Sequence, residues 1–330
     1  SLLFVPPAEG GGMEISMKIT VFTPTYNRGY CLERLFESLL HQTYHNFEWV
    51  IVDDGSTDCT QELIQSFQEQ QIFFPIIYKK TENGGKHRAI NKGMQLVGGE
   101  IVFLVDSDDW LREDALESIA KMDASIPEIE KHKYAGIQGL CVHTDGELVG
   151  RTFSGDYLDC TAIECRKYNI YGDKAEAYYT NIIKRYPFPE IEGEKFVTER
   201  LVWNKIAHDG YMIRYFNEGI YFCEYLEDGL SHGGNVLYAK NPKQWAMAIR
   251  QDYDFGVMNA YNTSIQIYIY YLYERAHITI REMADNLNMP VFLFWVAVVV
   301  QKVVDTTRFF LHKKNTVLGT AKKDMGNCNW

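Results

Sequence analysis

The sequence predicts an α/β fold: a mixed, mainly parallel sheet flanked by helices, with a helical extension at the C-terminal end. Short apolar runs alternate with amphipathic segments through the first 125 residues, which is the pattern of strands joined by helices. Acidic residues directly follow two of those runs, at the strand ends where open α/β sheets bind ligands. A chain of 330 residues with 46% hydrophobic content can bury the large core that such a fold needs.

The elements of the first half are predicted in alternation. Strands are predicted where apolar residues run continuously, at 18–23, 47–52, 74–78 and 101–105. Helices are predicted where apolar residues recur at helical spacing, at 32–40, 58–67, 86–97 and 112–122. Because short connections join each helix to two successive strands, we expect these strands to pair in parallel.

The second half is less regular. Residues 151–190 are rich in aromatic and charged side chains but show no periodicity. Strands are predicted at 134–143, 211–216 and 220–225, the last two joined by a turn at 217–219. Beyond residue 242 the pattern becomes helical, at 245–258, 261–276, 280–287 and 291–311.

The composition argues against several classes of protein. A net charge of −11 and a pI of about 5.3 do not suit a general nucleic-acid-binding protein. The seven cysteines include no C-x-x-C pair, and an odd number suits a reducing compartment better than a disulfide framework. No signal-peptide pattern is present, and the longest apolar run, 291–300, is too short to cross a bilayer. We therefore expect a cytoplasmic protein.

Two carboxylates stand at the end of the fourth predicted strand. Asp106 and Asp108 follow the apolar run at 101–105 at once. Carboxylates this close repel each other, so a cation between them is favourable at neutral pH. Oxygen ligands in a partly open site suit Mg²⁺ or Mn²⁺ that also contacts a phosphate. By itself the pair also fits a solvated turn that caps the next helix.

The usual nucleotide-binding motifs are missing. No G-x-G-x-x-G follows the first strand, and residues 84–86 lack the spacing of a P-loop. Instead, Asp53 and Asp54 end the second strand. A carboxylate in that position can accept hydrogen bonds from a base or from ribose hydroxyls.

Four sequence blocks stand in one order along the first half of the chain. They are Pro24-Thr25-Tyr26-Asn27-Arg28, Val52-Asp53-Asp54-Gly55-Ser56-Thr57-Asp58, Asn83-Gly84-Gly85 with Asn91 and Gly93, and Asp106-Ser107-Asp108-Asp109. Together, in this order and spacing, they resemble the family 2 glycosyltransferases, which are inverting, metal-dependent enzymes. The resemblance implies the GT-A fold, that of the nucleotide-diphospho-sugar transferases.

The sequence pattern and the resemblance together divide the chain. Residues 1–16 are interpreted as a disordered leader or a vector-derived remnant, and residues 17–235 as the GT-A catalytic domain. Within that domain, residues 17–125 are the nucleotide-binding half and residues 126–235 the acceptor half. Residues 236–330 are the C-terminal helical region.

The site residues are carried over from the family position by position. Nucleotide binding is expected at Pro24, Thr25, Tyr26, Asn27, Asp53, Asp54, Lys86, Asp106 and Ser107, and Mg²⁺ or Mn²⁺ binding at Asp108 and His232. Thr25 and Tyr26 are expected to border the base, with the Tyr26 ring available for stacking. Asp54, with Asp53, is expected to bind the uracil edge or the ribose, and Asp106 to face the ribose and the metal.

Some of these positions have a structural alternative. Tyr26 also fits a core residue, Asp53 a helix cap, and His232 a purely structural histidine. Ile90 stands where the family commonly has an arginine. Lys86 or Arg88 is expected to replace its phosphate contact, with a solvated helix start as the alternative.

Glu199 is the candidate catalytic base. Family members carry an acidic residue just before a helix with a tryptophan, and here Glu199 stands four residues before Trp203. Arg200 departs from the family, which has a second acid there. The structural alternative is a glutamate stabilised by the helix dipole. Glu192 and Glu194 are interpreted as loop charges.

The last predicted helix is unusually apolar, and basic residues follow it. Such a helix can lie on an anionic membrane surface, which would place the protein at the inner face of the cell membrane. The alternative is a helix packed on the catalytic domain or on the second subunit of a homodimer.

The predicted function is transfer of a sugar from a nucleotide-diphosphate donor, expected to be a UDP-sugar, to a hydroxyl of a saccharide or lipid-linked acceptor. Two alternatives stay open. Arg200 leaves room for a non-catalytic subunit that binds sugar nucleotides or glycans. A sugar nucleotidyltransferase would need a glycine-rich basic signature after the first strand, which residues 24–27 do not supply.

Overall fold

A computed structural model describes residues 17–224 and 234–307 of the protein. The chain divides into two compact units. The sheet unit contains the chain up to Pro187 and also Asp209–Leu226. The helical unit contains Phe188–His208 and the chain from Glu227 onward. The leader predicted at 1–16 lies outside the described residues, and the domain boundary predicted at 235 stays a prediction.

The sheet unit is built on a mixed sheet of nine strands, within the part of the chain that is described. The strands are β1 (Ile19–Thr25), β2 (Phe47–Asp53), β3 (Ile76–Lys80), β4 (Ile101–Leu104), β5 (Trp110–Leu111), β6 (Tyr134–Val142), β7 (Tyr157–Cys160), β8 (Lys174–Tyr179) and β9 (Met212–Phe222). They lie in the order β3-β2-β1-β4-β8-β6-β9-β5, and β7 pairs with β9 outside that order. The predicted α/β class is confirmed.

The first four strands form the parallel part of the sheet. β1 pairs in parallel with β2 and with β4, and β2 pairs in parallel with β3. Helices α1 (Leu32–Leu40), α2 (Thr60–Gln68) and α3 (Lys86–Gly93) connect them, as the alternating pattern predicts. Since parallel strands end at the same edge of a sheet, the segments that follow β1, β2 and β4 meet there.

The pattern of hydrophobic residues explains the strands and helices of this parallel part of the sheet. β1 and β2 are buried along their whole length, as continuous apolar runs require. Helix α1 buries the apolar residues at its helical spacing, including Phe36. The Phe36 ring stacks on Phe67 of α2 with ring centroids 4.0 Å apart, which ties two helices to the same face of the sheet.

The sequence prediction missed two strands in the second half. Residues 151–190 are not irregular throughout, because they contain β7 and β8. β8 runs antiparallel between β4 and β6, in the middle of the sheet. It buries Ala175 and Ala177, and alanine is depleted in strands, so the periodic signal was weak.

The two strands predicted at 211–216 and 220–225 are a single strand, β9. The expected turn at Asn217 is instead an irregularity, where the register between β6 and β9 shifts. Asn217 donates its backbone N–H to the carbonyl of Asp156 at 3.0 Å and its side-chain amide to the carbonyl of Phe153 at 3.0 Å. A neighbouring loop therefore satisfies the polar residues that suggested a turn.

The remaining α-helices of the described chain belong to both units. The sheet unit also contains α4 (Ala115–Ala124) and α5 (Thr180–Ile183). The helical unit contains α6 (Arg200–His208), α7 (Gly234–Ala239), α8 (Pro242–Asp254), α9 (Ala260–Glu274), α10 (Ile280–Asn286) and α11 (Val291–Thr307). The predicted helical extension is confirmed, and the last four residues predicted for α11 lie outside the described range.

The helical unit has a core of its own. Trp245 of α8, Tyr270 of α9 and Phe294 of α11 are buried in one cluster. Within the residues that the structure covers, no single helix is long and apolar enough to span a bilayer. The pair α10 and α11, bent by 103°, passes that test only when its two helices are taken together.

Replacing Phe36 by alanine tests the packing of the sheet unit. Phe36 is 1% exposed, so Phe36→Ala is expected to lower the free energy of unfolding by about 3–5 kcal/mol through a cavity. Chemical denaturation monitored by circular dichroism measures the change. Ile129→Ala is the control, because Ile129 is 83% exposed and its loss should change stability by less than about 0.5 kcal/mol. Equal losses in the two variants would contradict the assignment of the core.

Candidate functional site

Three carboxylates meet in the loop after β4, which we call the acidic loop (residues 106–109). One oxygen from each of Asp106, Asp108 and Asp109 lies within 4.8 Å of the others. Asp109 is buried, whereas Asp106 and Asp108 are partly exposed. The loop stands at the carboxyl end of an inner parallel strand, where open α/β sheets bind ligands.

The end of β9 holds the acidic loop in place. The Tyr221 hydroxyl donates to Oδ2 of Asp109 at 2.8 Å and accepts from the backbone N–H of Asp106 at 2.9 Å. The backbone N–H of Glu224 donates to Oδ1 of Asp109 at 2.9 Å. Both oxygens of Asp109 therefore accept hydrogen bonds from the protein, which leaves Asp106 and Asp108 as the carboxylates most open to a ligand.

Negative charge is crowded in the acidic loop. Burial, reinforced by the charge of Asp106, raises the pKa of Asp108 above its ordinary value and the pKa of Asp109 to about 7. Burial, and then the charge of Asp108, also raise the pKa of the neighbouring Cys31 thiol to about 11. A divalent cation relieves such repulsion, and carboxylate oxygens are the ligands that Mg²⁺ and Mn²⁺ prefer. These residues fit the predicted metal.

Two cationic side chains, Lys86 and Arg28, face carboxylates of the acidic loop. Lys86, at the start of α3, places its Nζ 2.7 Å from Oδ1 and 2.9 Å from Oδ2 of Asp106. Arg28 places Nη2 3.9 Å from Oδ2 of Asp108. Arg88, the other candidate for a phosphate contact, donates to the carbonyl of Gly84 at 2.6 Å. Lys86 is thus the better placed of the two, and its phosphate contact stays a prediction.

Asp53 orders the turn that follows β2. It is fully buried, and its carboxylate accepts from the backbone N–H of Ser56 at 2.7 Å and from the Tyr78 hydroxyl at 2.8 Å. Burial, and then the bond to Asp53, raise the pKa of Tyr78 above its ordinary value. The residue before α2 is Cys59, so Asp53 is not the cap of that helix.

Asp54 fastens the glycine loop at 83–85 to the end of β2. Its Oδ1 accepts from the backbone N–H of Gly84 at 2.8 Å, and its Oδ2 accepts from that of Gly85 at 2.7 Å. Gly55 has φ +82°, and a Cβ there would lie 2.8 Å from the backbone nitrogen of Asn83. Two of the four sequence blocks are therefore one structural unit, and the ligand contacts predicted for Asp53 and Asp54 stay predictions.

The first sequence block, Pro24 to Arg28, forms the end of β1 and the start of the loop that follows it. Pro24 and Thr25 are buried, whereas Tyr26 is 46% exposed and is not a core residue. Asn27 adopts φ 52°, and its side-chain oxygen accepts from the backbone N–H of Thr57 at 2.8 Å. Tyr26 is therefore the member of this block whose ring is open to a ligand.

Ser107 and His232 complete the predicted set. Ser107 is buried in the acidic loop, and its carbonyl accepts from the Cys31 thiol at 3.6 Å. His232 lies outside the described residues. The structure brings the sheet-unit members of the predicted set to one edge of the sheet, and their roles stay predictions.

Arg34 of α1 is a site residue that the sequence patterns did not single out. Its Nη2 donates to the backbone carbonyl of Asp108 at 2.6 Å, and its guanidinium lies 3.7 Å from the centroid of the Trp110 ring. Its Nη1 lies 2.5 Å from Oε2 of Glu224. In sequence Arg34 stands on the polar side of an amphipathic helix, where an arginine is ordinary. Asp109 differs in this respect, because its position next to Asp108 in the sequence could have indicated that it belongs to the acidic loop.

Glu199 lies in the helical unit, directly before α6. Its backbone carbonyl accepts from the N–H groups of Val202 and Trp203 at 2.9 and 3.1 Å, so it begins the helix that carries the tryptophan, as expected. Arg200 pairs with the buried Asp252 at 2.8 Å, which gives the departure from the family pattern a structural role. The role of Glu199 as base stays a prediction.

The interpretation of Glu194 as a loop charge was wrong. Glu194 is buried, and its carboxylate accepts from the backbone N–H groups of Lys243 and Gln244 at 2.7 and 2.9 Å. A carboxylate at this end of α8 satisfies N–H groups that have no partner within the helix. Glu192 is exposed, as expected.

Sequence comparison identifies relatives of known class. The profile of glycosyl transferase family 2 matches residues 20–183. The glycosyltransferase GlyA of Streptococcus pneumoniae is 40% identical over 109 residues, which are 33% of this chain and 15% of GlyA. A Campylobacter jejuni protein named GalNAc(5)-diNAcBac-PP-undecaprenol beta-1,3-glucosyltransferase is 31% identical over 147 residues, 43% of this chain and 44% of that protein. The matched part thus spans less than half of each of these relatives.

Structural comparison confirms the GT-A fold. The Staphylococcus aureus enzyme TarS, solved in complex with UDP-GlcNAc, matches with a TM-score of 0.59 and 21% identity, over 86% of this chain and 82% of that one. The mannosyltransferase PcManGT of Pyrobaculum calidifontis, in complex with GDP-Man and Mn²⁺, matches with a TM-score of 0.50 and 17% identity, over 94% and 88%. At these identities the likeness concerns the fold alone.

Removing the Tyr221 hydroxyl tests how the acidic loop is held. Tyr221→Phe deletes the bonds to Asp109 and Asp106, so we expect Mn²⁺ affinity to fall by roughly tenfold or more. Tyr186→Phe is the matched control. The Tyr186 hydroxyl donates to Oδ2 of Asp209 at 2.7 Å, and neither residue belongs to the acidic loop. Isothermal titration of Mn²⁺ measures both variants. A loss of affinity that is the same in both would contradict a specific role for Tyr221.

Proposed function

The chain belongs to the family 2 glycosyltransferases through residues 20–183, and we propose that it transfers a sugar from a nucleotide-diphosphate donor to a hydroxyl group of an acceptor. One observation carries the proposal: the acidic loop joins three carboxylates within 4.8 Å at the carboxyl edge of the parallel strands. Lys86 faces this loop, and the exposed ring of Tyr26 stands at the same edge. A nucleoside diphosphate offers matching groups, an aromatic base and a doubly charged diphosphate.

The donor is proposed to be a UDP-sugar. Asp108 and Asp106 would hold Mg²⁺ or Mn²⁺, which when bound supplies positive charge to the departing diphosphate. Tyr26 would stack on the base, and the ammonium group of Lys86 would exchange part of its contact with Asp106 for a phosphate oxygen. The likeness to TarS bound to UDP-GlcNAc supports the choice of nucleotide, and the likeness to a Mn²⁺-bound mannosyltransferase supports the metal.

Asp53 and Asp54 would contact the uracil edge or the ribose at the margin of this site. Their side chains already accept hydrogen bonds from the turn and the glycine loop around them. Further contacts are open to them because a carboxylate oxygen can accept more than one hydrogen bond. Pro24, Thr25, Asn27 and Ser107 would shape the same site through the backbone.

The transfer is proposed to invert the configuration of the sugar. Glu199 would remove the proton from the acceptor hydroxyl while that oxygen forms its bond to the anomeric carbon. The bond from this carbon to the diphosphate breaks on the opposite side, so an α-linked donor gives a β-linked product. The ion pair between Arg200 and Asp252 gives the residue after Glu199 a structural role, so the missing second acid does not by itself favour a non-catalytic subunit.

The acceptor is proposed to be a saccharide or a lipid-linked glycan, as in polysaccharide assembly at the cell envelope. The relative named for an undecaprenol-linked substrate supports this class of acceptor. We propose that the reaction takes place in the cytoplasm, where nucleotide sugars are available.

Calorimetric titration of UDP, with and without Mn²⁺, tests the donor site. We expect metal-dependent binding in the wild type and a loss of about tenfold or more in Asp108→Asn, which removes a ligand charge. Asp145→Asn is the control, since Asp145 lies in an exposed turn of the same unit, and its binding should be unchanged. Binding of UDP that is equally strong without metal, or in Asp108→Asn, would overturn the proposed site.

Hydrolysis of UDP-sugars tests the base. Glu199→Gln keeps the shape of the side chain and removes its basicity, so we expect turnover to fall by roughly 10²–10⁴-fold with donor affinity unchanged. Glu192→Gln, at an exposed glutamate nearby in sequence, is the control. Unchanged turnover in Glu199→Gln would exclude this base. Tight UDP binding with no turnover in the wild type would favour the non-catalytic alternative.

A further inference from the structure

Helix α11 is apolar on two opposite faces. One face carries Phe294, Val298 and Gln301, which are 0–3% exposed and pack in the helical unit. The opposite face carries seven large apolar side chains that are 38–74% exposed: Phe292, Leu293, Trp295, Val296, Val299, Val300 and Val303. At about 100° per residue, these seven positions cover roughly 160° of the helix circumference. We call them the apolar face of α11.

Such a face needs a cover. A helix that is hydrophobic all round is normally buried, and a contiguous exposed apolar patch marks an interaction site. Elsewhere in residues 17–224 and 234–307, the exposed large apolar residues are mostly tyrosines, whose hydroxyls tolerate water. The apolar face of α11 therefore differs in chemistry from the rest of the described surface.

The charge of the residues that follow α11 in the sequence favours one kind of partner. The chain as a whole has a net charge of −11, yet residues 308–330, which follow α11, contain five bases against one acid. They are Arg308, Lys313, Lys314, Lys322 and Lys323, against Asp324. A basic run that follows an apolar helix in sequence complements anionic lipid headgroups over an acyl layer. A second copy of the chain would instead bring another strongly negative protein.

We propose that α11 lies flat on an anionic lipid bilayer, with its apolar face in the boundary between headgroups and acyl chains. Its buried face would stay packed on the helical unit, so docking needs no unfolding. Trp295 stands at one margin of the apolar face, and tryptophan prefers the headgroup level. This inference concerns a surface of the helical unit and does not depend on the transferase chemistry.

Vesicle co-sedimentation of the full chain tests the proposal. The probes are phosphatidylcholine vesicles and vesicles of phosphatidylcholine with phosphatidylglycerol at three to one. We expect binding to the anionic vesicles that weakens with added salt. The double variant Phe292→Glu, Val296→Glu should bind about tenfold less or weaker still, because it places charge in the apolar layer. Ile129→Glu, at an exposed isoleucine of the sheet unit, should bind like the wild type.

Two further measurements complete the test. Replacing Lys313, Lys314, Lys322 and Lys323 by glutamine should reduce binding to anionic vesicles and leave binding to neutral ones unchanged. Light scattering after size exclusion reports the oligomeric state, and circular dichroism with thermal unfolding reports that each variant is folded. A wild-type dimer that Phe292→Glu, Val296→Glu dissolves, with no vesicle binding, would overturn the proposal in favour of a second copy. Vesicle binding that the double variant leaves unchanged would overturn it too.

Discussion

Repulsion among three carboxylates is the constraint on which the sheet unit depends. Asp106, Asp108 and Asp109 are close enough that burial and mutual charge raise the pKa of two of them. A loop of this kind stays closed only if the surrounding structure supplies compensating groups. Lys86 and Arg28 supply positive charge, and Arg34 donates to the carbonyl of Asp108. Tyr221 supplies a hydroxyl and Glu224 a backbone N–H.

These compensating groups come from distant parts of the sequence. Lys86 begins α3, Arg34 belongs to α1, and Tyr221 and Glu224 stand at the end of β9. The mixed sheet is what makes this convergence possible, because β4 belongs to its parallel part and pairs with the antiparallel strand β8 on its other side. The acidic loop thus lies where the two parts of the sheet join.

The parallel part and the acidic loop could be predicted from the sequence, because both depend on local patterns. Continuous apolar runs predicted β1, β2 and β4, and the acidic residues at the ends of β2 and β4 marked the edge where a ligand is expected. The strand β8 escaped prediction because two of its three buried residues are alanines, and β9 was divided in two by Asn217, whose polar groups bond to a neighbouring loop.

Residues that hold the site through contacts far away in sequence cannot be recognised from the residues next to them. Arg34 and Glu194 have ordinary sequence neighbours, and only the fold shows that the first holds the carbonyl of Asp108 and the second caps α8. Asp54 could be expected to contact a ligand but not to bind the N–H groups of Gly84 and Gly85, which lie 30 and 31 residues further on. Motifs indicate where a ligand is expected, and tertiary contacts decide how those motifs are held.

The bonds from β9 to the acidic loop carry a consequence for how the protein is made. Tyr221 follows Asp109 by 112 residues, and Glu224 follows it by 115. A chain emerging from the ribosome therefore has all four sequence blocks long before it has the residues that hold the acidic loop. Contacts between residues so far apart in sequence form slowly, because the entropy of closing a long loop opposes them. The arrangement of the acidic loop described here therefore requires a chain synthesised at least as far as residue 224.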